Sequence, residues 1–461
     1  MKRKIFFLAF AALGLNLRAQ ESKKAYEFSL KQSIEYAFQN QPSVLNATLD
    51  EEIAKAKVKE VAGIGYPQIS AGLDVKKYLE LPTSVLPAGS FSFPGMPPIP
   101  PNSPPQELKF GLPHSATASI DGSWLLLDAS YLISKQGSKT YLELAKRSAE
   151  RTKIATAISI SKAYYNVLIT EERSHLIDAN VSRLKKLVDD TKALNENGFA
   201  EKIDLNRVML SYNNVLTEQQ KVHQFLSLSY TLLKFQLGMD LLADLKLTDK
   251  LSDGDFQNFS LSEGQLDYTK RVEYNLLQSQ IRYNQLDLKR NKFAYLPSLV
   301  AYGTFATQAQ REKFNYFNPH QYNNGMYDTW YPFSLIGAKL NVPIFDGFQK
   351  ANKVRQARLA LQKSENDLKT LTASLDVDIQ TSKINLNNSL SSLKLQKENM
   401  ALAEEVYRVS KIKYDQGVGS NLEVINAEAS LKEAQTNYYG ALYDAYVSKL
   451  DYTRATGDYK F

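Results

Sequence analysis

The sequence predicts an α+β membrane protein built from two copies of one structural unit. Three observations support this prediction: an internal repeat, short segments in which apolar and polar residues alternate, and two very long stretches without proline. The repeat matches Trp124–Ala129 with Val342–Gly347 at an offset of 218, and Gly198 with Gly417 at an offset of 219. An offset this constant indicates duplication of a whole unit.

The first nineteen residues read as an export signal. A basic start precedes a short apolar run, Ile5–Leu17, and small Ala19 marks a cleavage site. The run is too short to span a bilayer securely. We therefore expect a mature chain with one repeat over residues 20–250 and a second over residues 251–461.

Composition excludes several classes of function. Loss of the signal removes four basic residues, so the net charge falls from +7 to +3 and gives little reason to expect a nucleic-acid partner. The chain has no cysteine, which excludes disulfides and thiolate metal sites, and its four histidines have no metal-ligand spacing. No phosphate loop or nucleophile elbow is found. We expect neither enzymatic activity nor a cofactor.

Two alternating segments in each half predict strands, at about 69–78 and 115–126 and at about 298–308 and 333–344. Runs of about ten residues with period two suit barrel strands that have one lipid face and one wet face. A half-buried sheet of a soluble protein uses the same pattern. If these strands form a barrel, the face that contacts water includes four charged residues: Asp74, Lys76, Asp121 and Lys339. They are candidates for tuning pore selectivity, although solvated lumen residues without a special role fit equally.

The segments between strands and turns predict long helices. Residues 129–197 contain no proline and one glycine, Gly137, and the second stretch, 347–416, contains neither from Phe348 onward. Helices of nearly seventy residues extend about 100 Å at ~1.5 Å per residue. Shorter helices at about 201–237 and 420–456 follow the turn glycines Gly198 and Gly417, and each repeat opens with a helix, the first being Leu30–Gly63. Narrow stripes of apolar and small residues along the long helices indicate coiled-coil packing.

Two loops break the symmetry of the repeats. Leu81–Pro113 holds ten of the sixteen prolines and predicts an extended, largely irregular segment. Gln308–Tyr331 is rich in aromatic residues. Because membrane barrels keep their long loops outside, both are expected on the external side.

Four strands cannot close a barrel, and an open strand edge in lipid leaves unpaired backbone groups. Several chains must therefore contribute strands to one barrel. Two chains would give eight strands and a filled interior, whereas three would give twelve strands and a pore.

Local motifs point to a known family. Pro67 and Pro297 precede the first strand of each pair, and Phe345–Gly347 marks the passage from strand to long helix. Tyr414–Gly419, followed by Leu422–Ala427, resembles the turn at a periplasmic channel mouth. In this order, the chain resembles the TolC-type outer-membrane efflux proteins. The resemblance implies a homotrimer in outer-membrane lipid, a twelve-stranded barrel continued by a helical conduit in the periplasm, and partners in a periplasmic adaptor and an inner-membrane pump.

The resemblance also implies a gate at the turns. Glu423 matches an acidic position that forms a ring at the closed aperture, while its spacing from Ser420 equally fits a capping box. A second acidic position falls on uncharged Asn426, and the basic gate position falls on the turn glycine Gly419. Tyr414 matches a tyrosine that ties neighbouring helices together, or it is a packing aromatic. The counterpart of Glu423 in the first repeat is Asp204, which we predict to be a solvated acid in the first turn of a helix.

Other functions remain open from the sequence. Within transport, the alternative to small-molecule efflux is type I protein secretion. A periplasmic coiled-coil adaptor or a structural filament represents a different class, but an adaptor is expected to show one helical hairpin rather than two. A filament does not need alternating ten-residue strands.

Overall fold

The computed structural model describes residues 25–87, 100, 103–256, 267–316 and 329–459. The predicted signal peptide and the centres of both predicted loops lie outside the described residues. Among the described helices, none has an apolar stretch long enough to cross a membrane.

The helices follow the order expected from the repeat. Their bounds are α1 (Leu30–Asn40), α2 (Pro42–Gly63), α3 (Ala129–Glu196), α4 (Lys202–Leu237), α5 (Val272–Phe293), α6 (Gln349–Asp415) and α7 (Asn421–Thr456). The strands are β1 (Ala25–Phe28), β2 (Gln68–Lys77), β3 (Thr83–Leu86), β4 (Gln106–Lys109), β5 (His114–Leu127), β6 (Asp244–Leu247), β7 (Ser298–Arg311) and β8 (Tyr331–Asn341).

The first predicted helix is wrong in one respect, because it is two helices. Gln41 between α1 and α2 is extended, with φ −75° and ψ 121°. A residue before proline disfavours helical geometry, and proline suits the first position of a new helix. Pro42 therefore ends α1 and starts α2.

The coiled-coil stripes are confirmed by burial. The seven stripe residues of α6 are all buried or half-buried: Val354, Ala357, Leu361, Ser364, Leu368, Leu371 and Leu375. The same holds for the stripe of α3: Ile177, Val181, Leu184, Val188 and Thr191. Alanine and serine on the stripe of α6 keep it narrow.

The chain divides into two compact units, and each takes segments from both sequence halves. One unit contains residues 51–146 and 276–369, and holds the four-stranded sheet. The other contains residues 1–50, 147–275 and 370–461, and holds both helix turns. The long helices α3 and α6 run through both units, so the unit boundary does not follow the repeat boundary.

In the first of these units the sheet is antiparallel in the order β2-β5-β7-β8. The central pair, β5 with β7, joins the two repeats. The edge strands are the most exposed: every residue of β2 is exposed, and so is almost every residue of β8. Both edges are therefore open in a single chain.

The register sorts the side chains onto two faces. Ile120 lies opposite Phe305, and Gly303 lies opposite Ile336, so these residues share one face. That face is apolar and exposed, with Ile69 77% and Ile336 91% accessible. The opposite face carries the charged residues that the alternation assigned to it: Asp74, Lys76, Asp121 and Lys339. On it, Thr304 Oγ1 donates to Asp121 at 2.7 Å.

The proline-rich segment is predicted to be largely irregular, and its ends are the exception. Its ends pair as the antiparallel strands β3 and β4, with Thr83 opposite Lys109. The four residues of β3 lie between Pro82 and Pro87, so every strand residue keeps its N–H donor. The loop predicted at 308–331 is shorter in the structure, because β7 extends to Arg311 and β8 starts at Tyr331.

Strand β8 ends earlier than predicted, at Asn341 rather than residue 344. Pro343 lacks an N–H and cannot continue the ladder. The short strands β1 and β6 were not predicted. They pair in parallel in the second unit, where Ala25 lies opposite Asp244, and four-residue strands give little periodicity to detect.

Candidate gate at the helix turns

Two equivalent turns connect the helices of the unit that holds residues 147–275 and 370–461. Gly198 follows α3 with φ +80°, and Gly417 follows α6 with φ +73°. Left-handed geometry favours glycine because it has no Cβ. The turns close in the same way, since Phe199 N–H donates to Leu194 C=O at 2.8 Å and Val418 N–H donates to Lys413 C=O at 3.0 Å.

Gly419 is required for a different reason, which is close approach. A Cβ at this position would lie 2.9 Å from Lys413 Cβ and 3.0 Å from Tyr414 N. Any side chain would therefore displace the end of α6. A basic residue at this position, where the resemblance places one, would therefore require such a shift.

Ser420 caps α7, and it leaves the Glu423 carboxylate outside the cap. The Ser420 hydroxyl accepts a hydrogen bond from Glu423 N–H at 3.2 Å, and Glu423 itself is exposed. At α1, by contrast, Ser29 and Gln32 form both bonds of a capping box. The serine half of the predicted box at Glu423 is present, and the carboxylate remains available for another role.

Asn426 and Asp204 occupy different environments. Asn426 is exposed on α7, three residues after Glu423. Asp204 is half-buried in the first turn of α4, where its carboxylate contacts Arg207 at 3.4 Å. The backbone carbonyl of Asp204 accepts a hydrogen bond from the Asn421 amide at 3.3 Å. This bond links the start of α4 to the start of α7, a role that involves its backbone and not its charge.

Tyr414 both packs and ties two helices together. Its ring lies against a buried cluster between the helices, made of Ile177, Leu184, Leu187, Val208, Val215 and Val424. Its hydroxyl lies 3.3 Å from Thr191 Oγ1 on α3, and Thr191 is fully buried. The two interpretations of Tyr414 are therefore compatible.

The sequence reasoning missed an ion pair in this region whose carboxylate is almost fully buried. Arg183 of α3 binds Glu428 of α7, with Nη2–Oε1 at 3.2 Å and Nε–Oε2 at 3.4 Å. The same guanidinium donates to Asn180 Oδ1 and lies 5.5 Å from the centre of the Tyr407 ring on α6. One signal could have found it: Glu428 lies on the stripe formed by Val424 and Leu431, where an apolar residue is expected.

The two partners of this ion pair differ in burial. The Glu428 side chain is 5% exposed and that of Arg183 is 31% exposed. Burial raises the pKa of the Glu428 carboxyl above its usual value, and the positive charges of Arg183 and Lys432 only partly oppose this. The charged form of Glu428 therefore depends on Arg183 for its stabilisation, whereas the charge of Arg183 is also stabilised by solvent.

Together these contacts join the hairpin of α3 and α4 to the hairpin of α6 and α7. A further ion pair between Lys432 and Glu218 links α7 to α4. Each of these bonds connects one sequence repeat to the other. Separating the hairpins would therefore break the Arg183–Glu428 pair as well as the Tyr414 bond.

The tips of both turns expose one apolar side chain each. Phe199 is 83% accessible and Val418 is 80% accessible. They hold the same place in the repeat, one residue after the turn glycine. Large exposed apolar side chains at matched positions indicate a contact surface rather than a core.

Comparison with known proteins agrees with this architecture. A family model described as "Outer membrane efflux protein" matches residues 266–458. Outer membrane protein TolC of Vibrio cholerae serotype O1 is 22% identical over 466 residues, which cover 99% of this chain and 96% of that protein. Proteases secretion protein PrtF of Dickeya chrysanthemi is 24% identical over 311 residues, which cover 66% of this chain and 64% of that protein.

Solved structures show the same fold. The Campylobacter jejuni CmeC outer membrane channel matches with a TM-score of 0.71 at 14% identity, covering 93% of this chain and 85% of that one. The second half of the chain thus matches the outer membrane efflux protein family, and the whole chain is similar to TolC of Vibrio cholerae. It is located in the outer membrane, where it is an exit duct of the efflux and secretion class. These similarities favour the duct over an adaptor or a filament.

Proposed function

We propose that three copies of this chain form one outer-membrane duct, with a twelve-stranded barrel and a helical conduit that closes at the turns. The observation that carries this proposal is the open sheet. Its edge strand β2 is exposed along its whole length and β8 along almost all of its length, and one face of the sheet is apolar. Pairing β8 of one copy with β2 of the next satisfies both edges.

In this assembly the polar sheet face lines the pore and the apolar face contacts lipid. The water-filled lumen would then contact the four charged residues of that face: Asp74, Lys76, Asp121 and Lys339. Exposed aromatic residues where strands meet helices fit the membrane interface: Tyr66, Trp124, Tyr295, Phe345 and Phe348.

The closed end of the duct lies at the turns, where three copies of Glu423 approach the axis. Like charges ~6 Å apart repel by roughly 3 kcal/mol per pair at an effective dielectric near 20. Such a ring attracts cations and opposes closure. The hydrogen bonds and ion pairs between the two hairpins of each chain supply the opposing attraction. Asn426, one helical turn after Glu423, is uncharged, so the aperture has one ring of carboxylates and not two.

The partners are a periplasmic adaptor and an inner-membrane pump. The exposed Phe199 and Val418 tips provide apolar contacts for the adaptor. Because the chain is a passive duct, the pump determines the cargo. Small-molecule efflux is the primary assignment. Protein secretion is the alternative, and the likeness to a protein named for protease secretion supports it.

Heat-modifiable mobility tests the trimer. An outer-membrane fraction run unheated on a denaturing gel is expected to show the chain at trimer mass, converting to monomer on boiling. A detergent-solubilised species that is folded and monomeric would contradict the proposal, because four strands leave two open edges.

A further inference from the structure

The one glycine of the long first helix has no role in the duct described so far. Gly137 lies inside α3, where glycine destabilises a helix relative to alanine. Its surroundings do not explain the choice by crowding, because a Cβ at this position would meet no heavy atom within 4 Å. Gly137 is nevertheless buried. A buried position with empty space around it indicates a cavity.

That cavity measures about 570 Å³ and lies within one compact unit, between α2, α3 and α5. Its walls are mainly apolar and aromatic: Ile53, Val61, Ile133, Tyr141, Tyr283 and Leu286. The rings of Tyr141 and Tyr283 lie 6.4 Å apart, tilted by 51°. Its volume falls in the range of pockets that hold small molecules, about 300–1,000 Å³.

The charged groups of the cavity are already paired. Lys57 pairs with Glu60 at 2.7 Å, and Arg290 pairs with Asp287 at 2.8 Å. The Ser138 hydroxyl donates within its own helix, to Lys135 C=O at 3.0 Å. A charged ligand would therefore have to separate an existing pair, whereas an uncharged one would not.

We infer that this cavity binds an uncharged lipophilic molecule with an aromatic ring. Pockets that hold small molecules are lined mostly by apolar and aromatic side chains, and this one is open on one side, since Ile53 is 62% and Tyr141 is 43% exposed. The two tyrosine rings provide tilted aromatic surfaces, which favour an aromatic guest over an aliphatic one. Gly137 forms part of the floor, and its missing side chain provides part of the space. The inference depends on neither the trimer nor the gate.

Photolabelling tests the site. The full chain in lipid nanodiscs is exposed to 3-trifluoromethyl-3-phenyldiazirine, an uncharged aromatic carbene source, and the labelled peptides are mapped by mass spectrometry. Labelling is expected within 53–61, 133–141 and 283–290, as well as on the apolar face of the strands. The strand label serves as an internal reference for lipid contact.

Filling the cavity supplies the decisive comparison. Gly137→Leu is expected to lower the cavity label about tenfold while the strand label stays constant. The matched control is Gly440→Leu. Gly440 also lies inside a helix, and a Cβ added there would meet no heavy atom within 4 Å, but Gly440 does not line the cavity. If Gly137→Leu fails to fold, Gly137→Ala is expected to fold and to lower the cavity label partially.

Three results would overturn the inference. The first is labelling confined to the strands. The second is equal cavity labelling in the wild type and in Gly137→Leu. The third is cavity labelling that appears only in dissociated chains, which would mean that another copy fills the space in the assembly.

Discussion

The two charges of the Arg183–Glu428 pair are expected to contribute unequally to stability. Replacing Arg183 by methionine leaves a carboxylate that is 5% exposed without its partner. Breaking a buried ion pair on one side costs about 3–5 kcal/mol, and we expect the lower end, about 3 kcal/mol, because Arg183 is partly solvated. Glu428→Gln leaves a guanidinium that is 31% exposed and still bonded to Asn180, so we expect a cost of about 1 kcal/mol.

The cost of Arg183→Met is also expected to depend on pH. Burial raises the pKa of Glu428, so the folded state binds this proton more readily than the unfolded state does. The stability contributed by this group is full below the unfolded pKa, near 4.5, and is lost as pH rises through the folded value. Arg183→Met removes the positive charge that lowers the pKa of Glu428, so the pKa of Glu428 in the folded state rises further. Folding stability is then lost up to a higher pH than in the wild type. The difference from wild type should therefore shrink between pH 7 and pH 4.5.

The assay is thermal unfolding of the purified protein in detergent, followed by circular dichroism at each pH. For domains of about 150–250 residues, 1 kcal/mol shifts Tm by roughly 2–4 °C, so Arg183→Met should lower Tm by roughly 6–12 °C at pH 7. Arg207→Met is the matched control. Its pair with Asp204 is more exposed, at 49% and 30%, and its loss should cost well under 1 kcal/mol.

A double variant separates the pair from its surroundings. Arg183→Met with Glu428→Leu replaces both charges by apolar groups of similar size, which is often neutral or stabilising. It should recover most of the Tm lost in Arg183→Met. The reasoning is refuted if Glu428→Gln is as damaging as Arg183→Met, or if the double variant is no more stable than Arg183→Met.

Three further predictions concern the gate and the proline-rich segment. Glu423→Gln should weaken block of channel current by divalent cations in planar bilayers, and Asn426→Asp should strengthen it; unchanged block in both would remove the gate assignment. Ser420→Ala should cost about 1 kcal/mol of stability, measured as Tm, whereas Glu423→Ala should not, because the cap rests on the serine hydroxyl; equal losses would contradict this. Deleting residues 88–105 should leave trimer mobility on gels intact, and loss of the trimer would assign that segment a structural role.

Long-range regularity in the sequence was sufficient to predict the helices and strands of the duct. α3 and α6 were recognisable because nearly seventy residues avoid proline, and the four sheet strands because apolar and polar residues alternate. The errors have local causes. Pro42 splits a helix whose pattern continues across it, and Pro343 ends β8 although the alternation runs on. β3 was hidden because two prolines flank it and it has only four residues.

The candidate gate was less accessible to sequence reasoning than the fold. The turn glycines Gly198 and Gly417 were identified by repetition, and their positive φ angles agree. The Arg183–Glu428 pair joins residues 245 positions apart, and no periodicity connects them. The role of Gly419 depends on its close approach to the end of α6, where an added Cβ would lie 2.9 Å from Lys413 Cβ, and only coordinates reveal this.

Cross-linking of the sheet edges tests the central claim of a closed trimer most directly. The chain has no cysteine, so cysteine introduced at Asp74 on β2 and at Leu335, Gly337 or Lys339 on β8 is the only source of disulfides. Within one chain β5 and β7 separate these strands by about 14 Å at ~4.8 Å per strand, beyond disulfide reach. We predict that at least one pairing yields a ladder of dimer and trimer on a non-reducing gel, ending at three, and that single-cysteine variants yield none. A ladder that ends at any other number, or no cross-link in any pairing, would contradict the account.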